Sequence, residues 1–188
     1  MGTNHMGRQS IRFPQPSVVR GFASVAGKKE REGPLGDQFT ATVQDTTFGE
    51  KSWERAERRM QQMTLELALE KAGLTDADLD AAFAGDLLNQ CIGSSFSLRN
   101  RGVPTLGLYG ACSTMAESLL LAAMSVSGGF ARTALAMTSS HFASSERQYR
   151  FPLGYGGQRT PTSQWTVTGA GAVLLGSGER GIRITAAT

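Results

Sequence analysis

One stretch of the chain, 103–126, restricts the fold more than any other. Its first part, 103–111 (VPTLGLYGA), has the apolar character of a buried strand, and a helical pattern, 112–126 (CSTMAESLLLAAMSV), follows without a linker. The helical part is apolar nearly all round, which is typical of a helix buried between other elements. Strands that run into buried helices are the units of α/β proteins, so the sequence predicts a layered α/β fold.

The rest of the chain continues this alternation. Apolar runs at 17–26, 81–88, 133–139 and 166–175 predict further strands, while the three- and four-residue spacing of apolar residues over 52–72 predicts an amphipathic helix. Ser52 is placed to cap that helix and Gly73 to end it, and a shorter helix is predicted over 92–101. We therefore expect a five-stranded, mostly parallel sheet with a last antiparallel strand, helices on both faces and a buried helix that starts at Cys112.

Length and composition exclude several classes of protein. The chain has 188 residues, which suits one domain, and we expect it to occupy 17–188, with 1–16 as an N-terminal arm or a cloning remnant. A net charge of +3, with dispersed basic residues, does not predict a nucleic-acid surface. Two cysteines and two histidines, without metal-ligand spacing, argue against a zinc site or a disulfide framework and favour a reducing compartment. No apolar run approaches the length of a membrane span, so any membrane association is expected to be peripheral.

Polar residues follow the ends of three predicted strands. Asp86 and Asn89 follow one strand, Cys112 the next, and Ser140 and His141 a third. In open α/β sheets the ligand lies beyond the carboxyl ends of the strands, so these residues are expected on one rim. Cys112 is the best candidate nucleophile, because the positive end of a helix favours a thiolate. The alternative for Cys112 is a cysteine that packs as a small apolar side chain.

Other polar residues also allow two interpretations. His141 is either a base or ligand donor beside Cys112, or a loop histidine that caps a strand end. Asp86 either binds a ligand with many donors or caps the segment that follows it. The glutamates of the 52–72 helix alternate with arginines and are predicted to form a solvated face with ion pairs: Glu54, Glu57, Glu66 and Glu70.

Seven short motifs, in order along the chain, resemble those of the stage V sporulation protein AD family of spore-forming bacteria. They are GPLG (33–36), AGDLLNQ (84–90), GACST (110–114), TSSH (138–141), ERQ (146–148), YGGQ (155–158) and TVTGAGA (166–172). The resemblance covers nearly the whole chain. It implies a thiolase-like fold, which consists of two similar halves, and this chain corresponds to the first half. The second half, which completes the catalytic groups of thiolases, is absent from the sequence, so complete thiolase chemistry is not expected.

The resemblance implies a sporulation protein that binds dipicolinic acid (pyridine-2,6-dicarboxylate) and supports its uptake into the developing spore, together with other stage V sporulation membrane proteins. Cys112 matches the position of the thiolase nucleophile. The residues expected around the ligand are Cys112, Ser113, Thr114, Asp86, Asn89, Ser140 and His141. No dedicated metal site or certain cofactor is implied, although a calcium ion that arrives with dipicolinate could bridge the ligand and Asp86.

An acyltransferase is the alternative function. In that case Cys112 would carry an acyl group from a coenzyme A thioester. We favour binding over catalysis, because the sequence offers no clear base and lacks the second half. The resemblance also implies a homodimer formed through the edge strand at 105–110. The expected location is the cytoplasm or the periphery of the spore inner membrane, without a transmembrane segment.

Overall fold

The computed structural model describes residues 4–149 and 166–188. The motif at 155–158 lies outside these residues. Within them the chain forms eight strands and five α-helices. The strands are β1 (His5–Met6), β2 (Ser10–Ala26), β3 (Ala41–Thr42), β4 (Ala81–Gly85), β5 (Thr105–Leu108), β6 (Thr133–Ser140), β7 (Gly169–Gly176) and β8 (Arg183–Ala187). The helices are α1 (Lys28–Arg31), α2 (Trp53–Ala72), α3 (Ile92–Leu98), α4 (Thr114–Ser127) and α5 (Phe142–Tyr149).

All the described strands belong to one mixed sheet. Its main order is β1-β2-β7-β6-β4-β5, and β3 and β8 also pair with β2. β4 runs parallel to both β5 and β6, whereas β7 is antiparallel to both β6 and β2. The predicted α/β class and the antiparallel strand at 166–175 are therefore confirmed. β5 ends the main strand order, where it forms an edge.

The sheet is larger than the five strands predicted, and the difference arises around β2. This strand begins at Ser10, so 10–16 of the expected arm belong to the sheet, and β1, β3 and β8 pair along its length. The side chain of Phe13 is buried on the face that packs against α4. Two-residue strands such as β1 and β3 are too short to produce a recognisable alternation, which explains why the sequence did not predict them.

Helices cover both faces of the sheet, as predicted. On one face Leu65 and Leu69 of α2 pack against Leu135, Met137 and other residues of the sheet. On the opposite face the buried apolar contacts come from α4 and the inner side chains of β4, β6 and β7: Ala122, Ala123, Val126, Phe83, Ala134, Ala136 and Leu175. The alternation of side chains along β6 thus assigns even-numbered residues to the α4 face and odd-numbered residues to the α2 face.

Both predicted ends of α2 are confirmed. The Ser52 side chain accepts a hydrogen bond from the Arg55 N–H over 3.3 Å, and Gly73 ends the helix with a φ of 66°. The expectation that Glu57 lies on a solvated face is wrong. Its side chain is fully buried, together with Gln61 and Thr64 on the same side of the helix. The sheet and α3 cover that side, and tertiary packing overrides the local pattern of charges.

The helix after β5 begins two residues later than predicted. Cys112 lies in a 3-10 turn, Ala111–Ser113, and α4 starts at Thr114. Ala111 has a φ of 49°, a left-handed conformation that separates the strand end from the helix. α4 is buried on the side that faces the sheet, while Met124 on another side is 45% exposed.

The longest helix of the described residues, α2, carries many charged side chains. None of the helices in 4–149 and 166–188 combines the length and the apolarity needed to cross a bilayer.

Candidate functional site

A cavity of about 600 Å³ lies at the carboxyl ends of the central strands. It is bordered by the end of β6, by the start of β7 and by the turn that carries Cys112. Much of its wall is apolar: Val25, Ala26, Phe39, Leu87, Ala111, Met115, Val167 and Ala170. Its polar residues are Cys112, Thr138, Ser139, Ser140 and Thr166, and no charged side chain lines it within the described residues. A cavity of this kind is typical of a small-molecule site.

Cys112 is exposed at the cavity because of the tight turn that precedes α4. The turn leaves no room for a side chain at Gly110, where a Cβ atom would collide with the side chains of Ser113 and Glu117. The Ser113 hydroxyl instead bridges the Gly110 carbonyl oxygen at 2.8 Å and Glu117 Oε1 at 2.6 Å. The Thr114 N–H is bonded to the Ala111 carbonyl oxygen across the 3-10 turn, but the positive end of the α4 dipole lies at this end of the cavity and favours an anion or an oxyanion there.

The predicted ligand-binding residues beside Cys112 are divided between the cavity and the turn. Ser140 lines the cavity, and its hydroxyl donates to the Val167 carbonyl oxygen over 2.6 Å. Thr114 is buried, and its hydroxyl donates to Ala111 O and accepts from the Gly110 N–H. The hydroxyls of Thr114 and Ser113 therefore stabilise the turn, and neither residue lines the cavity.

His141 does not line the cavity, although it directly follows Ser140. Its ring is fully buried, and Nδ1 accepts a hydrogen bond from the Ala143 N–H at 3.2 Å. Nε2 must then carry the proton and donates it to the Thr46 carbonyl oxygen over 2.8 Å. Burial lowers the pKa of His141, and its ring packs against Trp53 and Phe142. Both ring nitrogens are thus engaged within the protein rather than with the Cys112 thiol.

Asp86 is buried and is also absent from the cavity wall. Its Oδ1 accepts from the Leu88 N–H at 2.9 Å, and its Oδ2 accepts from the N–H and the hydroxyl of Ser94 at 2.7 and 2.6 Å. These contacts cap the segment after β4, which was the alternative interpretation of this residue. A calcium ion bridged by Asp86 has no support in this geometry. Asn89 begins a 3-10 turn, Asn89–Cys91, and its side chain lies outside the described part of the structure.

A buried polar network that was not predicted from the sequence lies behind the cavity. Glu57 accepts hydrogen bonds from Ser139 at 2.8 Å and from Ser144 at 2.7 Å. Gln61 donates to the same Ser139 hydroxyl over 2.7 Å. Burial raises the pKa of Glu57 to about 7, and the hydrogen bonds from Ser144 and Ser139 oppose that shift. The i, i+4, i+7 spacing of Glu57, Gln61 and Thr64 was the available signal, because it places three polar residues on one side of a helix.

Solved structures with a similar fold include a β-ketosynthase, a 3-oxoacyl-[acyl-carrier-protein] synthase III and OleA. The priming β-ketosynthase from the R1128 polyketide biosynthetic pathway has a TM-score of 0.58 and 17% identity over 94% of this chain and 54% of its own. The 3-oxoacyl-[acyl-carrier-protein] synthase III from Aquifex aeolicus VF5 has a TM-score of 0.55 and 18% identity over 87% of this chain and 55% of its own. Xanthomonas campestris OleA, solved with bound lauric acid and lauroyl-CoA, has a TM-score of 0.55 and 15% identity over 87% of this chain and 57% of its own. These similarities show the thiolase-like fold.

Sequence comparison identifies the family. Stage V sporulation protein AD of Bacillus subtilis (strain 168) is 44% identical over 182 residues, which are 97% of this chain and 54% of that protein. The chain therefore spans about half the length of this relative. The sequence pattern of the family described as Stage V sporulation protein AD (SpoVAD) matches residues 7–188. The chain belongs to the stage V sporulation protein AD family, a family of sporulation proteins.

Proposed function

We propose that the chain binds dipicolinic acid in the cavity beside Cys112 and supports its uptake into the developing spore. The observation that carries this proposal is the position of the α4 N-terminus at one end of a largely apolar cavity. Dipicolinate is a flat aromatic ring with two carboxylates, so it needs apolar walls for the ring and N–H or hydroxyl donors for the carboxylates. The positive end of the α4 dipole and the hydroxyl of Thr138 meet the second need.

Calorimetric titration of dipicolinate into the chain, and into the full-length B. subtilis relative, tests this proposal. We expect saturable binding that weakens in Cys112→Ala. Isophthalate, which has the same two carboxylates on a benzene ring, is the control for the ring nitrogen. Absence of saturable binding by both proteins would contradict the proposal.

We further propose that the chain is the N-terminal half of a two-half protein. Its coverage of 54% of the B. subtilis relative, 54% of the β-ketosynthase and 55% of the 3-oxoacyl-[acyl-carrier-protein] synthase III supports this interpretation. The apolar residues that α4 leaves exposed, such as Met124, fit a helix that is covered by a second half. The proposed unit comprises 17–188 together with 10–16, which belong to the sheet, and the second half is contributed by further sequence.

The proposed partners are a second copy of the chain and other stage V sporulation membrane proteins. β5 supports the homodimer, because it lies at the end of the main strand order and leaves Leu106 49% exposed. A charged substitution on this edge, Leu106→Lys, is expected to shift the sedimentation of the protein from dimer to monomer. Contact with membrane proteins would place the chain at the periphery of the spore inner membrane, which separation of sporulating cells into membrane and cytosolic fractions tests.

The second candidate function is acyl transfer. It is favoured by the exposure of the Cys112 thiol on a turn at the start of α4 and by the ketosynthases among the structural neighbours. The position of His141, which directs its Nε2–H to Thr46, supplies no base to that thiol. Incubation with acyl-coenzyme A followed by intact-mass measurement separates the two functions. A stable acyl adduct that disappears in Cys112→Ala would favour the transferase.

A further inference from the structure

Two buried carboxyl groups, Glu57 and Asp86, are joined by a continuous chain of hydrogen bonds behind the cavity. The Ser139 hydroxyl donates to Glu57 Oε1 over 2.8 Å and accepts from Gln61 Nε2 at 2.7 Å. The same Nε2 donates to Ser94 Oγ over 3.2 Å, and the Ser94 hydroxyl donates to Asp86 Oδ2 over 2.6 Å. Ser139 also lines the cavity, so the network reaches the cavity wall from the α2 face of the sheet.

The two carboxyl groups differ in the donors that hold them. Asp86 accepts from two backbone N–H groups, which can only donate, and from Ser94. Glu57 accepts from the hydroxyls of Ser139 and Ser144, each of which can also act as an acceptor. When Glu57 takes up a proton, a neighbouring hydroxyl can therefore turn from donor to acceptor, which a backbone N–H group cannot do.

The protonated state of Glu57 keeps every hydrogen-bond partner. A proton on Oε2 donates to the Ser144 oxygen, and the Ser144 hydrogen then turns to the His141 carbonyl oxygen, 3.2 Å away. Ser139 continues to donate to Oε1. The His141 ring takes no part, because its Nε2–H bonds to Thr46. The network thus has two fully bonded states that differ by one proton.

The surroundings of Glu57 bring its titration close to neutral pH. The charged groups that act on it are Asp86, from the segment after β4, and Glu54, one turn earlier on α2, and both are acidic. The facing residues of β6 and α5 are the hydroxyls of Ser139 and Ser144. Burial, the largest cause, raises the pKa of Glu57 to about 7.

We propose that an anion entering the cavity is bound together with a proton, which Glu57 takes up from the solvent. This inference rests on the proposed function, because it requires that the cavity accept an anion. The described wall holds no charged side chain, so a bound carboxylate has no cation there to offset its charge. Its field acts on Glu57, which is separated from the cavity by Ser139 alone along the hydrogen-bond chain. Protonation of Glu57 removes the repulsion, and linkage then requires that affinity and proton uptake change together.

Calorimetry of dipicolinate binding in two buffers of different ionisation enthalpy measures this proton directly. At about pH 7, we expect the wild-type chain to take up about half a proton for each ligand bound, since a group near its pKa is about half protonated before binding. Glu57→Gln, which preserves the shape and both hydrogen bonds, is expected to bind without this uptake. Glu70→Gln is the matched control, because it removes the same charge from an exposed position of the same helix that does not act on Glu57, and it should retain the uptake of the wild type.

The outcomes separate this inference from the proposed function. Dipicolinate binding without proton uptake, or with equal uptake in wild type and Glu57→Gln, would overturn the inference and leave the binding function intact. No binding by the wild type would overturn both. If Glu57→Gln fails to fold, the wild-type affinity decides: it should fall by about two- to fivefold between roughly pH 6.5 and 7.5, where dipicolinate itself is fully ionised. A constant affinity over that range would overturn the inference.

Discussion

The Ser139 hydroxyl donates to the buried carboxyl group of Glu57 across 2.8 Å and thereby connects the cavity wall to α2. Both side chains are at least nine-tenths buried, and the bond joins residues that are 82 positions apart in the chain. The sequence predicted no function for Glu57 and placed it on a solvated face. The bond thus joins the end of β6 to a titratable side chain of α2.

The pH dependence of stability should reveal Glu57. Its pKa is raised to about 7 from 4.5, so the folded state holds a proton that the unfolded chain has lost. The stabilisation is complete below the pKa of the unfolded chain, 4.5, and is lost as the pH rises through 7, at up to about 1.4 kcal/mol per pH unit. Glu57→Gln is expected to remove this slope and to be more stable than wild type at pH 8 by about 1–3 kcal/mol. Urea unfolding at several pH values measures the free energy of unfolding of both proteins. If it changed with pH equally in wild type and in Glu57→Gln, the raised pKa of Glu57 would be contradicted.

His141 should produce the opposite dependence. Burial lowers its pKa from 6.5, so the unfolded chain binds a proton at a pH where the folded chain does not. The stabilisation is present above the unfolded value and is lost as the pH falls below it. In His141→Gln, which can still donate to the Thr46 carbonyl, the loss of stability between pH 6.5 and 5 should be smaller than in wild type. Thermal unfolding in the Glu57→Gln background isolates this effect from that of Glu57.

Gly171 offers a direct way to fill the cavity. It lies in the cavity wall, and a Cβ atom added to it would have no atom within 4 Å. Gly171→Leu should therefore fold normally and reduce dipicolinate affinity by at least about tenfold, because the side chain occupies the space of the ligand. Gly178→Leu, on an exposed loop outside the cavity, is the matched control and should bind as wild type does. Equal affinities in the two variants would place the ligand elsewhere.

Gly21 should be required for the packing of α2 on the sheet. A Cβ atom there would lie 2.8 Å from Ala68 O and 2.9 Å from Ala72 Cβ, closer than real Cβ contacts. Gly21→Val is expected to destabilise the fold by about 1–3 kcal/mol, because the helix must move away from the strand. Chemical unfolding gives this value. Gly171→Val, on a strand without a close neighbour, controls for the change in strand propensity.

The two cysteines should differ in reactivity. Cys112 is exposed, whereas Cys91 is 7% exposed, and its thiol donates to the Leu108 carbonyl oxygen at 3.1 Å. Burial also raises the pKa of Cys91, which reduces its thiolate fraction. Iodoacetamide is expected to label Cys112 at least about tenfold faster than Cys91. Peptide mass analysis at short times measures the ratio, and dipicolinate should protect Cys112 alone.

Local patterns predicted much of the fold. The helix start at Ser52 and its end at Gly73 were readable because capping depends on residues within one turn. The strand-to-helix junction near Cys112 could be predicted because the spacing of apolar residues changes there from that of a strand to that of a helix. The exact helix start was missed by two residues, since a left-handed Ala111 has no sequence signature.

By itself, the sequence determined the α/β class and the order of the five main strands and the two long helices between them, because each depends on neighbouring residues. Only the tertiary structure decided which polar side chains face the cavity and which are used inside the protein. His141 bonds to a carbonyl group 95 residues away, and Glu57 lies beneath a strand 82 residues away. Such partners are brought together by packing of the sheet against α2, and the free energy of that packing outweighs the local preference of a charged residue for water.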